Sequence, residues 1–539
     1  MYKYTFYIVV EIELMNEKEI YNRLNELSSY FSFGRVLGYI AFFETVGIEY
    51  QLKHGQDANK DRMLSSELNF LIGLWIQNVV LDKTWDIKLD DDFTREVYEL
   101  MDDLHSSYLK KNDLSNQFIK VFFYEGDLAY DWQYAYFAQK KYNTPCLYDV
   151  LKNNFNFDIT VLNTTLSKIK SCIEKQIKRR RQEKWKHHEY ISPMNAFTIK
   201  PNIIKKKFSF EEQSVIKALS FRLGSGIDKR INKITDFNSY VQYPIIELPN
   251  NRGYFCVNEC AISVAMNETP FYWLQSSPHF GKNLGSIRGD IAENLVLEIV
   301  QRRFQKNIFA HIPITKTKSS NMVTDIDVFF SYKDTGIVFQ LKSKRLTELS
   351  KQGDVASVES DIEKAIVEAH KQGLKCIECM LNSTEYYSLR KNGLDYVKSL
   401  TLYNVCITLD AFPGISSLSF LKSYSQQASP IIAMSLYDLD IIFYLFQPEQ
   451  IVDYFQFREQ SIRNAIYGIS EIYYIGAYFA KVMGYCIKLS NNKIPREYAL
   501  YADYIIKKSK IEKYRHKDID CNLLELLAMF PVKEPIECK

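Results

Sequence analysis

Two β-rich runs joined by a short turn constrain the fold of this chain more than any other feature of its sequence. The run Val323–Ser331 is rich in β-branched and aromatic residues, Tyr332–Gly336 has the composition of a turn, and Ile337–Ser343 is a second β-rich run. Successive side chains of a strand point to opposite faces. The segment therefore predicts a β-hairpin with one polar and one apolar face.

The polar residues of this hairpin share one surface in either register that the turn allows. Asp325 and Asp327 lie on one face of the first strand, and Gln340 and Lys342 on one face of the second. If the turn centres on the Lys333–Asp334 bond, Asp327 lies opposite Gln340. If the centre of the turn lies one residue later, Asp327 lies opposite Lys342. The apolar face consists in both cases of Ile326, Val328, Phe339 and Leu341. Such a polar set is costly to bury without a function.

A predicted helix upstream of the hairpin supplies one more carboxylate. Within Arg288–Phe304 an apolar stripe recurs at helical spacing, and it consists of Ile291, Leu295, Ile299 and Phe304. Glu293 lies off this stripe. We therefore expect Glu293 to complete a site with the polar face of the hairpin.

These side chains suit the hydrolysis of a phosphodiester. Mg²⁺ prefers carboxylates, carbonyl oxygens and waters, so we predict Asp327 as its central ligand, Glu293 as the second and the Gln340 carbonyl as a neutral third. Asp325 is an accessory ligand, and Mn²⁺ is expected to substitute for Mg²⁺. A bound metal ion lowers the pKa of water and neutralises phosphate oxygens. Lys342 is expected to orient the attacking water and to offset charge at phosphorus.

The order of these motifs resembles that of the PD-(D/E)XK nuclease superfamily, specifically its Mrr-like branch, in which Gln replaces the usual carboxylate in Q-x-K. The matching segments are Gly289–Glu293, Asp325–Asp327 and Gln340–Lys342. The predicted helix Val358–Gln372 is similar to the helix that follows the Q-x-K strand in such enzymes. The resemblance covers this part of the chain and leaves both flanks unidentified.

The resemblance implies an α/β restriction-endonuclease-like core, with the order αβββαβ and a mixed sheet, flanked by mainly helical domains. It implies a metal-dependent endonuclease that hydrolyses DNA in restriction of foreign DNA or defence against phage. The catalytic residues would be Glu293, Asp327, Gln340 and Lys342. RNA is the alternative substrate. There are two alternatives without catalysis: an inactive DNA-binding scaffold, and an ordinary hairpin with solvated polar residues. The partners implied are DNA or RNA, and a second copy of the chain or a defence-system subunit.

The length of 539 residues predicts several structural units, because single cores stop growing beyond about 250–300 residues. Periodicity predicts helices at Glu17–Tyr30, Leu64–Val80, Phe93–Tyr108, Phe210–Arg222, Ile441–Phe455, Glu459–Ser470 and Ile472–Cys486, and strands at Tyr4–Leu14 and near Tyr243–Val257.

Gly281, Gly285 and Gly289 are predicted to form turns, and the aromatic patch Tyr130–Phe137 is predicted to form an interhelical core. We assign 1–174 to a mainly helical domain, 175–207 to a basic helix end and linker, 208–285 to a small α+β unit, 286–440 to the nuclease domain and 441–539 to a helical region.

Net charge does not by itself indicate a nucleic-acid partner, because 68 Lys and Arg against 65 Asp and Glu leave only +3. The run Lys175–Lys207 is locally basic and carries interleaved aromatic residues, which suits contacts to phosphates and bases. A solvated helix face is the alternative of equal weight. The residues predicted to contact nucleic acid are Lys178, Arg179, Arg180, Arg181, Lys344 and Arg345.

The sequence predicts a cytoplasmic protein without a membrane segment. Its apolar stretches fall short of the ~18 residues that a membrane helix needs, and Met1–Glu13 lacks the order of a secretory signal. Its ten Cys are therefore expected to be reduced thiols. The pairs Cys256-x3-Cys260 and Cys376-x2-Cys379 lie in apolar sequence, which favours buried core Cys over zinc ligands. His370, between charged neighbours, is expected on a solvated helix face.

Overall fold

The computed structural model describes residues 16–54, 63, 65–110, 129–187, 193–226, 231–232, 234, 236, 238–257, 259–277, 283–316, 321–351, 354–412, 414–416 and 430–509. They form a mixed α/β protein that is mostly helical, with one four-stranded and one five-stranded mixed sheet. Two compact units are present: the first is drawn from Met1–Lys120 and Phe155–Glu268, the second from Val121–Asn154 and Thr269–Lys539. The predicted strand Tyr4–Leu14 lies outside the described residues.

The first half of the chain is mainly helical. Its helices are α1 (Glu17–Ser28), α2 (Phe33–His54), α3 (Ser65–Asn78), α4 (Asp90–Lys110), α5 (Asp131–Tyr142), α6 (Pro145–Phe155), α7 (Ile159–His187), α8 (Pro201–Lys207), α9 (Phe210–Ala218) and α10 (Glu259–Gln275). The predictions for α1, α3 and α4 are confirmed with small shifts at their ends. Asn16 begins α1 with a capping box, in which its side chain accepts from the backbone of Glu19.

The four-stranded sheet belongs to the first unit and has the order β1-β4-β3-β2. Its strands are β1 (Thr198–Ile199), β2 (Ser220–Arg222), β3 (Ile245–Leu248) and β4 (Gly253–Phe255). The predicted strand pair near Tyr243–Val257 is confirmed, since β3 and β4 pair antiparallel. The predicted helix Phe210–Arg222 is too long, because its last residues form β2. Gly253 has a φ of 123°, and a Cβ there would lie 2.5 Å from the carbonyl oxygen of Ile199.

The second half of the chain alternates strands and helices before it becomes helical. Its strands are β5 (Ile308–Thr315), β6 (Met322–Tyr332), β7 (Thr335–Lys342), β8 (Thr401–Thr408) and β9 (Ile432–Ser435). Its helices are α11 (Leu284–Gln301), α12 (Glu348–Lys351), α13 (Val355–Ile362), α14 (Glu368–Leu381), α15 (Tyr387–Lys391), α16 (Leu436–Leu445), α17 (Pro448–Arg463), α18 (Glu471–Val482) and α19 (Arg496–Lys508). A π-helical turn, Glu363–Val367, joins α13 to α14.

The five-stranded sheet of the second unit has the order β5-β6-β7-β8-β9. The first three strands are antiparallel neighbours, whereas β7, β8 and β9 run parallel. The carboxyl ends of β7, β8 and β9 therefore meet at one edge, where Lys342 pairs with Thr408 and Thr408 with Ser435. β7 is central and buried except at Lys342.

The predicted hairpin is confirmed, and its register is the first of the two alternatives. Tyr332 pairs with Thr335 and Val328 with Phe339, so the turn centres on the Lys333–Asp334 bond. The strict alternation predicted for the first strand is wrong at Ile326. This residue shares a core cluster with Phe329, three positions away, although such residues lie on opposite faces of a regular strand. β6 therefore departs from regular alternation around Asp327.

Several predicted helix limits need correction. Gly285 and Gly289 lie inside α11, not in turns. The predicted helix Ile441–Phe455 is broken, because α16 ends at Leu445 and Pro448 begins α17. The predicted helix Glu459–Ser470 instead ends at Arg463, shortly before Ala465 with its φ of 53°.

The aromatic patch around α5 is confirmed as an interhelical core. Tyr134 and Phe137 are buried, and both rings contact the ring of Tyr437 on α16. Within the part of the chain that the structure describes, no helix combines the length and the apolar character that crossing a membrane requires.

Candidate active site

Glu293 lies on α11 and is half-buried, with 25% of its side chain exposed. Its Oε2 pairs with Nδ1 of His311 on β5. His311 adopts a φ of 54°, in the left-handed region, and its two neighbours pair with Ile326 and Val328 of β6. His311 therefore lies beside Asp327, and the β5–β6 pairing brings the predicted helix carboxylate to the level of the hairpin carboxylate.

Asp327 is buried at the irregular point of β6, with 5% of its surface exposed. Its Oδ2 accepts the backbone N–H of Leu341 at 2.8 Å, which fixes the carboxylate against β7. The β6–β7 pairing ends one residue away from Asp327, at Val328 and Phe339. The hairpin thus holds the predicted central ligand beside the Q-x-K segment.

The charges of this region disfavour ionisation of its carboxylates. Burial, together with the negative charges of Glu293 and Asp325, raises the pKa of Asp327 to about 7, although the Leu341 N–H and Lys342 oppose the shift. Burial also raises the pKa of Glu293, although His311 opposes that shift. Like charges are therefore crowded here, and a bound cation would relieve their repulsion.

Gln340 is fully buried and leaves one acceptor unsatisfied. Its Nε2 donates to the carbonyl oxygen of Asp325 at 3.1 Å and contacts Sγ of Cys376 at 3.4 Å. Since a carbonyl oxygen can only accept, the amide nitrogen must face Asp325, which directs Oε1 away from it. That oxygen has no hydrogen-bond partner among the described residues. A buried acceptor without a partner is unfavourable unless a ligand completes it.

The donor set fits a hard divalent cation. The carboxylates of Glu293 and Asp327 and the Oε1 of Gln340 are all oxygen donors, which Mg²⁺ and Mn²⁺ prefer. Among the described residues, no group of three or more His, Cys, Asp or Glu side chains is placed to hold a metal ion by itself. The amide oxygen and water would therefore have to contribute to any metal site here.

A side chain that the sequence analysis did not single out links the predicted catalytic lysine to the accessory carboxylate. Gln372 of α14 accepts from Nζ of Lys342 at 2.9 Å and donates to Oδ1 of Asp325 at 2.7 Å. The amide thus fixes the ammonium and the carboxylate relative to each other. The sequence analysis expected a helix at Val358–Gln372 but no contact between Gln372 and these strands, because the partners lie 30 and 47 residues away.

The two predicted phosphate contacts next to the hairpin are engaged with protein groups. Nζ of Lys344 lies 3.0 Å from Oδ1 of Asp361. Arg345 stacks on Phe271, with its guanidinium carbon 3.9 Å from the ring centre, and its Nε lies 3.6 Å from Asp410. Lys344 is thus held by an acidic residue, whereas Arg345 belongs to a larger cluster of charges.

The predicted basic patch lies on α7 in the first unit. Lys178 and Arg179 are exposed there. Arg180 and Arg181 belong to the same helix, but their side chains lie outside the described part of the chain. Contact of these four residues with nucleic acid stays a prediction.

The thiols of Cys256, Cys376 and Cys379 are fully buried, as the apolar sequence predicted. Cys376 and Cys379 belong to the core cluster beneath β6 and β7, and burial raises the pKa of both. The side chain of Cys260 lies outside the described residues.

The prediction for His370 was wrong. Only 1% of this residue is exposed, and Nδ2 of Asn404 lies 3.1 Å from its Nδ1 and donates to its carbonyl oxygen at 2.8 Å. Burial lowers the pKa of His370 to about 4. This histidine is a neutral core residue between α14 and β8.

Comparison of the chain with protein-family models, with curated proteins and with solved structures gives no match.

Proposed function

We propose that this protein is a metal-dependent nuclease of the PD-(D/E)XK type, in its Mrr-like form, which hydrolyses phosphodiester bonds of DNA. One observation carries the proposal: the buried carboxylate of Asp327 lies within electrostatic reach of Glu293, Asp325 and Lys342 at the end of a central hairpin. A phosphoryl-transfer site needs carboxylates that bind a metal ion and a positive charge that stabilises the transition state, and three carboxylates and one lysine supply these groups here.

The order of elements supports the restriction-endonuclease-like core. α11, β5, β6, β7, α14 and β8 follow one another with the pattern αβββαβ, apart from short intervening helices, and the sheet that they build is mixed. The predicted helix carboxylate, strand carboxylate and Q-x-K segment lie on the first helix, the second strand and the third strand. The three segments that carry the resemblance thus lie on different elements of one unit, which supports the proposal.

A divalent cation would be held by Glu293, Asp327 and Oε1 of Gln340, with Asp325 as an accessory ligand. When bound, it would lower the pKa of a water molecule and neutralise charge on the phosphate oxygens. Lys342 supplies a positive charge that orients the attacking water and stabilises the charge that develops on the phosphoryl oxygens.

The remaining residues of the site act by position. Gln372 holds the Lys342 ammonium in place through its Oε1, so the lysine does not have to be ordered during the reaction. The Leu341 N–H holds Oδ2 of Asp327, which fixes the carboxylate that would bind the cation. Both contacts reduce the reorganisation that the reaction requires.

DNA as the substrate, a cytoplasmic location and a role in restriction or phage defence are parts of this proposal that depend on the resemblance alone. RNA is the alternative substrate. An inactive DNA-binding scaffold is the alternative without catalysis. A second copy of the chain or a defence-system subunit remains the proposed protein partner.

A cleavage assay with matched variants tests the proposal. The purified full-length chain is incubated with plasmid, linear duplex, single-stranded DNA or RNA, each with Mg²⁺, Mn²⁺ or EDTA. Cleavage of DNA that requires metal and falls at least a hundredfold in Lys342→Ala is expected. Lys398→Ala is the control, because Lys398 is exposed before β8, at the opposite end of the sheet from Lys342. Cleavage of RNA alone would select the alternative substrate, and comparable cleavage by Lys342→Ala and the wild type would remove the assignment.

A further inference from the structure

His311 has a backbone conformation that is uncommon in a strand. Its φ of 54° lies in the left-handed region, although the residue is in the middle of β5. A residue with a Cβ enters this region at a cost in free energy that glycine does not incur. Such conformations persist only where the surrounding structure fixes them, and they are concentrated at functional sites. The contacts of the His311 side chain are therefore the place to look for a function.

The alternation of side chains breaks in both strands next to this residue. Phe309 and Ile312 of β5 pack against the same core cluster, and so do their pairing partners in β6. Residues three positions apart lie on opposite faces of a regular strand. His311 lies within the irregular stretch of β5, and Asp327 lies within that of β6. The two strands are therefore reshaped together at the buried carboxylate of the candidate active site.

The imidazole of His311 binds the helix carboxylate of the same site. Its Nδ1 contacts Oε2 of Glu293 on α11. A carboxylate that binds a metal ion is ionised and can only accept, so Nδ1 must carry the hydrogen of this contact. The other ring nitrogen, Nε2, makes no hydrogen bond to the described residues. Within the described part of the chain, Glu293 is thus the hydrogen-bond partner of the imidazole.

This contact restricts a side chain that would otherwise be mobile. Glu293 is partly exposed, with 25% of its side chain accessible, and 44% of the His311 side chain is accessible. An exposed pair of this kind contributes little to the stability of a fold. A glutamate does lose considerable rotamer freedom when it is fixed. A carboxylate that is already fixed by the protein binds a ligand at a smaller entropic cost.

We propose that His311 is a positioning residue of the candidate active site, which holds the carboxylate of Glu293 in the orientation that binds a divalent cation. This inference rests on the proposed nuclease function. It adds β5 to the elements that build the site, and it explains why a histidine occupies a left-handed position that would suit glycine. Hydrogen-bonded partners of metal ligands typically account for about ten- to a hundredfold in metal affinity or activity.

Binding of Mn²⁺ to the full-length protein tests this role without cleavage as the only readout. Free Mn²⁺ is measured by electron paramagnetic resonance during titration of the wild type and of His311→Gly. Glycine adopts a φ of 54° without strain, so this variant loses the imidazole and keeps the backbone. We expect Mn²⁺ affinity to fall at least about tenfold. Half-maximal cleavage of DNA should then require a correspondingly higher Mn²⁺ concentration.

Asn307→Gly is the matched control for the change of backbone. Asn307 is exposed just before β5 and has a φ of 56°, nearly that of His311. This substitution removes a side chain from the same conformation without touching Glu293. Mn²⁺ affinity should therefore equal that of the wild type.

A double-mutant cycle with Glu293→Ala shows whether His311 acts through Glu293. If it does, His311→Gly should have little further effect on Mn²⁺ affinity once Glu293 is replaced. Equal losses in the two backgrounds would overturn the positioning role, because His311 would then act on the metal ion independently of Glu293.

The outcomes separate this inference from the proposed function. If the protein cleaves DNA and His311→Gly has the Mn²⁺ affinity and Mn²⁺ dependence of the wild type, the positioning role is overturned and the nuclease remains. If Mn²⁺ binding depends on His311 through Glu293 but no nucleic acid is cleaved, the positioning role stands and the nuclease function fails. If the wild type binds no Mn²⁺ at millimolar concentration, both are overturned.

Discussion

Asp327→Asn should make the metal-free second unit more stable at alkaline pH while it removes activity. The carboxyl of Asp327 has a pKa of about 7 in the folded protein, against 3.8 for an unperturbed aspartate, because it is buried beside Glu293 and Asp325. A carboxyl with a raised folded-state pKa stabilises the fold at pH values below 3.8, and this contribution is lost as the pH rises through 7.

The size of the effect follows from the difference of about 3 pKa units. At about 1.4 kcal/mol per unit, the ionised carboxylate lowers the free energy of unfolding at pH 8 by up to about 4 kcal/mol. Asn has no charge and still offers an oxygen to the Leu341 N–H, so the variant regains most of that amount. At pH 5 the gain should shrink to about 2 kcal/mol, because the folded wild type is then largely protonated.

Hydrogen–deuterium exchange of peptides from β6 and β7 is the suitable assay, because it reports the unit that carries the site. In EDTA at pH 8, exchange should be slower in Asp327→Asn than in the wild type. Added Mg²⁺ should slow exchange in the wild type and have little effect in the variant, which lacks the main ligand. Asp334→Asn, in the exposed turn of the same hairpin, is the control and should change neither result. Faster exchange in Asp327→Asn at pH 8 would refute the electrostatic argument.

Three further predictions address the surroundings of the site. Gln372→Ala should lower kcat about tenfold with little change in KM, because it frees Lys342 without removing its charge; equal losses in Gln372→Ala and Gln372→Glu would indicate a merely structural role. Replacing Lys178–Arg181 with Ala should weaken DNA binding uniformly across sequences and flatten the salt slope by up to about 0.9 per lost contact, and an unchanged slope would support a solvated helix face. The free energy of unfolding should fall by up to about 3 kcal/mol between pH 6.5 and 4, because the unfolded chain binds a proton at His370 that the folded protein does not. Urea denaturation of the wild type and His370→Gln measures this difference, and equal pH dependence would contradict it.

Local patterns were sufficient for the two strands of the hairpin, but not for its register or for the contacts of its polar face. The sequence allowed two positions of the turn, and the structure has the turn at the Lys333–Asp334 bond. His311 reaches Glu293 across 18 residues, and Gln372 reaches Asp325 across 47. No periodicity encodes such pairs, because they depend on how α11, β5 and α14 pack on the sheet.

Burial was mispredicted where the nearest neighbours in sequence are charged. Glu368 and Lys371 are exposed on α14, which suggested that His370 is exposed as well. The helix turns His370 toward Asn404 of β8, 34 residues away, and the amide nitrogen of Asn404 lies 3.1 Å from Nδ1 of the imidazole. Similarly, Gly285 and Gly289 read as turn residues although α11 passes through both, because helix propensity is a weak preference that packing of the opposite face can override.

Lys141 shows why the organisation of the chain is the hardest property to derive from such patterns. On α5 it follows Lys140 in the last helical turn, where positive charge favourably opposes the helix dipole, so its sequence environment predicts a solvated residue. It is instead buried against Asp410, 269 residues away. A lysine can be buried here only because the carboxylate of Asp410 neutralises its charge. Asp410 is fixed by its hydrogen bond from Arg288 and by its position just beyond β8. The segment that contains α5 therefore belongs to the unit that carries the candidate active site. The ion pair of Lys141 with Asp410 that joins them forms only when the whole sheet has formed.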